Sequence, residues 1–284
     1  LNVIDISKVD TSAVIDMGQM FSDCNNLKSI DVSNFNTSKV ENMFDLFDDC
    51  YLLTSLNLSN FDTSKVKNMQ GMFHRLHKLE YLEIYLNTSL VTKMNCMFKE
   101  CFVLTSLDIS NFDTSNVETM EQMFVKFKKL KLIDVLKFNT IKVKNMNFLF
   151  AFCFLLTSLD VSNFDTSSVI GMEDMFLHCE NLVSINVSNF NTSLVSRMDS
   201  LFAYCYNLTS IDVSNFDTSF VTSMVQMFYY CKNLRAINVS KFNTSKVENM
   251  MDIFAYCFQL TSVNMSNFDT SKVTMMRGVF FLNY

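Results

Sequence analysis

Apolar residues recur along this chain with a period of 26. One column holds Phe21, Phe47, Phe73, Phe98, Phe124, Phe150, Phe176, Phe202, Phe228, Phe254 and Phe280. A Met stands four residues before each Phe, from Met17 to Met276, and a Val three residues before that, from Val14 to Val273. A Leu follows six residues after the Phe, from Leu27 to Leu260, and Leu1, Ile4 and Ile6 fall at matching places before the first full repeat. One step is 25 residues rather than 26, a deletion near Tyr85 and Leu86. A unit this short buries its apolar side only against its neighbours, so the pattern predicts an elongated solenoid rather than one or two compact domains.

Two periods alternate within each repeat. Val169, Met172, Met175, Phe176, Cys179 and Leu182 are spaced by three to four, which predicts a short helix or 3₁₀ arc. Ser158 to Ser162 alternates instead, with Leu159 and Val161 facing one way and polar residues the other, which predicts a strand. Between them lies a polar segment, Asn215 to Ser219 in one repeat, whose amide and hydroxyls suit turns and helix caps. Ser38 with Glu41, Ser115 with Glu118 and Ser245 with Glu248 have capping-box spacing. The expected fold is an α/β solenoid of stacked coils. At about 4.8 Å per coil, eleven coils would extend on the order of 50 Å.

Leu208 to Ser219 reads Leu-Thr-Ser-Ile-Asp-Val-Ser-Asn-Phe-Asp-Thr-Ser. This motif resembles the 26-residue repeat of the BspA-like leucine-rich-repeat surface proteins, and the resemblance runs the length of the chain. The expected architecture is then a leucine-rich-repeat-like, right-handed stack of eleven 26-residue coils. A parallel β-sheet would line one face and short helical or 3₁₀ arcs the other, with residues 1–284 forming one domain without separate caps. The resemblance also implies an extracellular or cell-surface location and a role in attachment or protein binding, and it brings no catalytic residues with it. The departures are the shortened coil at Tyr81 to Asn87, Leu136 and Lys137 in place of Ser-Asn, and a high Phe and Met content.

A second period of 52 residues overlies the first. Fifteen residues after the Phe column, Asn36, Asp62, Asn87, Asp113, Asn139, Asp165, Asn191, Asp217, Asn243 and Asp269 alternate, and Asp10 extends the series backwards. Carboxylates about 5 Å apart repel by roughly 3 kcal/mol at an effective dielectric of 20, so alternation favours charge spacing. Calcium held between coils and direct partner binding stay open. After the cysteine position, Tyr51, Phe102, Phe154, Tyr206 and Phe258 alternate with Asn25, His77, Lys128, Glu180 and Lys232. Rings at this spacing suit packing along a seam, or stacking on sugars or a partner if they are exposed.

Composition narrows the functional classes. The longest unbroken apolar run, Phe148 to Leu156, is half of what a membrane-spanning helix needs. A net charge of −6 with scattered Lys and Arg argues against a nucleic-acid surface. Eight of nine cysteines share one column, and Leu76 and Phe127 fill its gaps, which reads as buried free thiols rather than metal ligands or disulfides. No metal or cofactor is expected. The chain opens on Leu without a charged start and apolar core, a sign of processing or truncation. Nine Asn-x-Ser/Thr sites, Asn57 and Asn207 among them, follow from the repeat's own composition.

Catalysis needs a residue set unlike its surroundings, whereas here polar residues recur coil after coil. His74 and His77 read as a surface pair, and His178 stands alone. The protein is expected not to be an enzyme. The candidate partner-binding face is the outward strand side, with Ser29, Asp31, Ser33, Ser106, Asp108, Asp134, Ser158, Asp160, Ser210 and Asp212, whose acidity would favour a basic protein of a host, a matrix or the same assembly. The alternative is end-to-end assembly into a filament or surface layer, or membership of a longer array, through Leu1, Val3, Phe280, Phe281 and Tyr284. A third idea is ice binding by the unbroken Thr column from Thr11 to Thr270.

Overall fold

The computed structural model describes residues 4–283. Its repeats are joined most densely along the arc that carries the Met and Phe columns. Met17, Gln19, Phe21 and Asp23 donate their amides to the carbonyls of Asn42, Phe44, Leu46 and Asp48 in the next repeat. The amides between them turn inward on the chain, Met20 to Met17, Ser22 to Gln19 and Cys24 to Phe21. The same set recurs near the other end, where Met250, Asp252, Phe254 and Tyr256 donate to Met275, Arg277, Val279 and Phe281.

This pattern replaces the predicted helical or 3₁₀ arcs. Among the described residues no helix occurs. A helix would direct its amides back along its own chain, whereas here every second amide points along the stack. Left-handed backbone achieves this: Gln19 and Asp23 have φ of 59° and 60°, and both columns keep positive φ down the chain. Successive tight turns place apolar residues every three to four positions as readily as a helix does, so periodicity alone did not separate the two.

The arc ladder stacks one ring of each repeat on the next. The eleven phenylalanines from Phe21 to Phe280 form a continuous pile with centroids 5.3–6.3 Å apart and planes within 12° of parallel. Each such pair contributes roughly 0.5–1.5 kcal/mol beyond the area it buries. Val, Met and Leu columns surround the pile and are fully buried through its middle, Val143, Met146 and Leu156 among them. The 25-residue step leaves the pile intact, since Phe73 and Phe98 stand 5.3 Å apart.

The strand side is less continuous than predicted. Strand β1 (Ser55–Asn57) pairs in parallel with β2 (Tyr81–Glu83), in the register Ser55 to Tyr81 and Asn57 to Glu83. Elsewhere on this side the pairing reduces to single parallel bridges, Ser210 with Ala236 and Ile237 with Val263. A local cause is visible in the repeats other than the shortened one at Tyr81 to Asn87. Asp31 Oδ1 accepts the Ser33 amide at 2.9 Å, and the Phe35 amide bonds the Val32 carbonyl. These turns bend the chain just past the middle of the alternating stretch and leave only about three residues extended.

The Thr column lies inside. Thr37 to Thr244 are buried, and each hydroxyl donates to a carbonyl of the next repeat, as Thr166 does to Asn191 at 2.9 Å. In several repeats the same oxygen also accepts the amide it faces, as from Asn191 at 2.7 Å. A buried column cannot present hydroxyls to water, which removes the observation behind ice binding. Thr166→Val keeps the shape but leaves the Asn191 amide and carbonyl without partners. It should cost about 1–3 kcal/mol in urea unfolding, while Thr166→Ser should lose much less.

Candidate partner-binding face

The structure places all ten strand-side residues, Ser29, Asp31, Ser33, Ser106, Asp108, Asp134, Ser158, Asp160, Ser210 and Asp212, on the exposed surface. Leu159, Val161, Ile211 and Val213 between them point into the core, so the alternation is that of a strand with one wet side. The acidic residues are not free, however. Asp31, Asp108, Asp134, Asp160 and Asp212 each accept the backbone amide two residues on, at 2.9–3.0 Å. The Ser33 hydroxyl and amide hold the Asp31 carboxyl below its ordinary value, and Ser110, Ser162 and Ser214 do the same for Asp108, Asp160 and Asp212. Each of the five is therefore a turn cap on an exposed surface, and the Ser bonds favour the charged form of Asp31, Asp108, Asp160 and Asp212.

The alternating Asp and Asn column has the same local task. Asp62, Asn87, Asp113, Asp165 and Asn191 all accept the amide two residues later through Oδ1. Either residue type serves, which is why the column tolerates the alternation that thins its charge. Neighbouring Asn residues stitch repeats together, Asn163 to the Leu136 and Phe138 carbonyls and Asn215 to that of Ser188.

Side chains at the alternate positions cover part of the aromatic half of the 52-residue period. Lys128 lies 3.9 Å over the Phe102 ring and Lys232 lies 4.0 Å over Tyr206, while His77 stacks between Tyr51 and Phe102 at 4.9 and 4.3 Å. The covered faces of Tyr51, Phe102 and Tyr206 fit packing between repeats, with the covering side chains coming from the alternate positions of the same column. Sequence reasoning missed a second ring column two residues after the Phe pile. There Phe152, His178, Tyr204, Tyr230 and Tyr256 stack at 4.0–5.6 Å, all with left-handed φ.

His74 and His77 are not the surface pair that was expected. His74 is mostly buried, with Nδ1 3.0 Å from Asp48, and Arg75 pairs with Asp48 and Asp49 beside it. Cys50, Cys101, Cys153, Cys179, Cys205, Cys231 and Cys257 are buried free thiols, each donating to a Phe carbonyl of the preceding repeat, as Cys153 does to Phe124 at 3.2 Å. Burial pushes Cys50, Cys153, Cys205 and Cys257 up to about 12, which suppresses thiolate chemistry. Among the described residues no three His, Cys, Asp or Glu converge as a metal site would require, and no helix is long and apolar enough to cross a membrane.

The family model described as "Mycoplasma protein of unknown function, DUF285" matches residues 1–85, 54–153, 80–180, 126–212, 153–256 and 205–283. The chain belongs to this family. The 26-residue spacing of this DUF285 chain fits the BspA-like repeat that its motif resembles. Among solved structures, a leucine-rich repeat protein from Bacteroides ovatus is similar at 18% identity and a TM-score of 0.36, with 76% of this chain and 61% of that one covered. A leucine rich cell surface protein from Faecalibacterium prausnitzii is similar at 18% identity and 0.40, with 92% and 73% covered. The DUF285 chain thus spans less than two thirds of the first of these. No curated protein matches.

One carboxylate works against the fold. Burial, with Glu173 and Asp199 nearby, pushes the Asp174 carboxyl up from 3.8 to about 6. A raised acid favours its protonated form in the native state, so stability from this group is full below about pH 4 and falls as pH rises through 6. Asp174→Asn, well tolerated at φ 58°, should therefore stabilise the protein at pH 7.5 by roughly 1 kcal/mol after solvent screening. Urea titrations should show the gain shrink towards pH 4.

Proposed function

We propose that the protein is a non-enzymatic, cell-surface recognition module that binds a protein partner through its strand face and so mediates adhesion. The observation that carries this reading is the uneven use of its polar residues. The Thr, Asn and Cys columns are occupied by bonds between repeats, whereas the strand-face residues Ser29, Asp31, Ser106, Asp108, Ser158, Asp160, Ser210 and Asp212 stay exposed, and Asp108 and Asp160 bond only amides of their own turns. A long array of like acceptors suits an extended or repetitive basic surface on a host or matrix protein. It offers no single set of residues set apart for chemistry. The BspA-like motif supports a surface location.

A second reading, end-to-end assembly into a filament or surface layer, is supported by exposed Met275, Met276, Phe280 and Phe281. Leu1, Val3 and Tyr284, the other positions assigned to it, lie outside the described residues. The two readings separate in one experiment on the purified chain, with particle mass followed by light scattering over a concentration series and binding to immobilised matrix proteins measured alongside. Recognition predicts a constant mass and saturable binding, weakened at least tenfold by combined Asp108→Asn, Asp134→Asn, Asp160→Asn and Asp212→Asn, since Asn keeps the turn and removes only the charge. Mass growing with concentration, with binding untouched by these changes, would move the function to the ends.

A further inference from the structure

The strand face is uniform except at two repeats. Its outward positions on either side of the acidic column hold Ser almost throughout, as Ser29 and Ser33 flank Asp31 and Ser158 and Ser162 flank Asp160. Ala236 departs at one such position. Only two repeats depart at both: Tyr81 and Tyr85 flank Glu83, and Leu132 and Leu136 flank Asp134. These side chains are 57%, 72%, 63% and 52% exposed, so the large groups stand out into solvent rather than filling a gap. Between the two ridges lies one low repeat, Ser106, Asp108 and Ser110, all exposed.

Strand geometry sets the dimensions. Ridges two repeats apart are separated by about 10 Å, and alternate outward positions along a ridge by about 6.6 Å. On this register the two exposed ridges would flank a channel running with the strands over Ser106, Asp108 and Ser110, with Glu83, Asp108 and Asp134 in adjoining repeats across its middle. Glu83 Oε2 accepts from Asn57 Nδ2 of the preceding repeat at 2.7 Å and from the Tyr81 hydroxyl at 3.0 Å. Asp108 and Asp134 are fixed through one oxygen by the Ser110 and Leu136 amides. Lys131 and Lys137 stand at the two ends of the Leu ridge, and Lys137 donates to the Ser110 carbonyl at 3.2 Å.

We propose that this channel is the docking site for an extended protein segment that presents Lys or Arg between two apolar side chains at alternate positions. The inference rests on the strand-face reading and locates its energetic centre. The segment's own period of two matches the Tyr-x-Glu-x-Tyr and Leu-x-Asp-x-Leu walls, so its apolar residues meet Tyr81 with Leu132 and Tyr85 with Leu136 while its cation meets three carboxylates. A second copy of the chain fits poorly, because a two-fold pairing that lays one ridge on the other sets Glu83 against Asp134. A saccharide would find rings on one wall only.

The test uses the full chain and a fluorescein-labelled nonapeptide with the central sequence Leu-Thr-Arg-Thr-Leu, read by fluorescence anisotropy at low salt. A dissociation constant below about 1 mM is expected, at least tenfold weaker for the same peptide with Glu in place of Arg. Tyr81→Ser, Tyr85→Ser, Leu132→Ser and Leu136→Ser combined should weaken the Arg peptide at least tenfold. That variant carries what neighbouring repeats carry, and circular dichroism and urea unfolding should match the parent. Asp108→Asn, the residue type found at Asn57 and Asn186 in this column, should weaken binding threefold or more. No binding of the Arg peptide at 1 mM, equal binding of the Glu peptide, or unchanged binding by the Ser variant would overturn the proposal. Matrix-protein binding that depends on Asp160 and Asp212 but not on the two ridges would reject the channel while leaving the strand-face reading standing.

Discussion

Everything in this molecule depends on the division of backbone amides along the arc. In each repeat every second amide bonds the next repeat and the others close tight turns within their own. A polar backbone can be buried only if both sets are satisfied, and this arrangement satisfies both without a helix. It also fixes the distance between repeats, and that distance brings the Phe rings into one parallel pile. Backbone bonding and ring stacking therefore reinforce each other: a repeat that slipped along the axis would lose several hydrogen bonds and two ring contacts together.

The same spacing governs which polar side chains are available for anything else. Thr and Cys sit where a hydroxyl or thiol reaches a carbonyl of the adjoining repeat, and Asn side chains bridge the loops. Lys and His cover aromatic faces at alternate repeats. The outward strand positions take little part in this bonding, Asn57, which donates to Glu83 of the next repeat, being an exception. Their Asp residues cap local turns, which fixes the direction of each carboxylate without neutralising it. Such a face is free to vary in chemistry at no cost to the stack, and the Tyr and Leu substitutions at Tyr81, Tyr85, Leu132 and Leu136 occur there.

Much of this was legible in the residues. Replacement of Cys by Leu76 and Phe127 marked that column as buried, and the unbroken Val, Met and Phe columns marked the core. The alternation at Ser158 to Ser162 correctly assigned Leu159 and Val161 to the inside. The helical arc was misread because tight turns and helices share a spacing of three to four, and left-handed φ at Phe152, Tyr204 or Tyr256 has no signature in residue type when Gly is absent. The Thr column was ambiguous because capping, exposure and bonding between repeats all call for a hydroxyl. His74 looked superficial because its partner, Asp48, comes from the preceding repeat, 26 residues away.

The central claim is that the arc, and not the strand side, holds the repeats together. Amide hydrogen exchange read residue by residue under native conditions tests it most directly. The arc amides of Met120, Gln122, Phe124 and Lys126, all bonded to the next repeat, should exchange at the slow limit set by global unfolding, while those of Leu107 and Asp108 on the strand side exchange orders of magnitude faster. Equal or greater protection on the strand side would contradict the claim, because it would mean that a continuous sheet bears the stack.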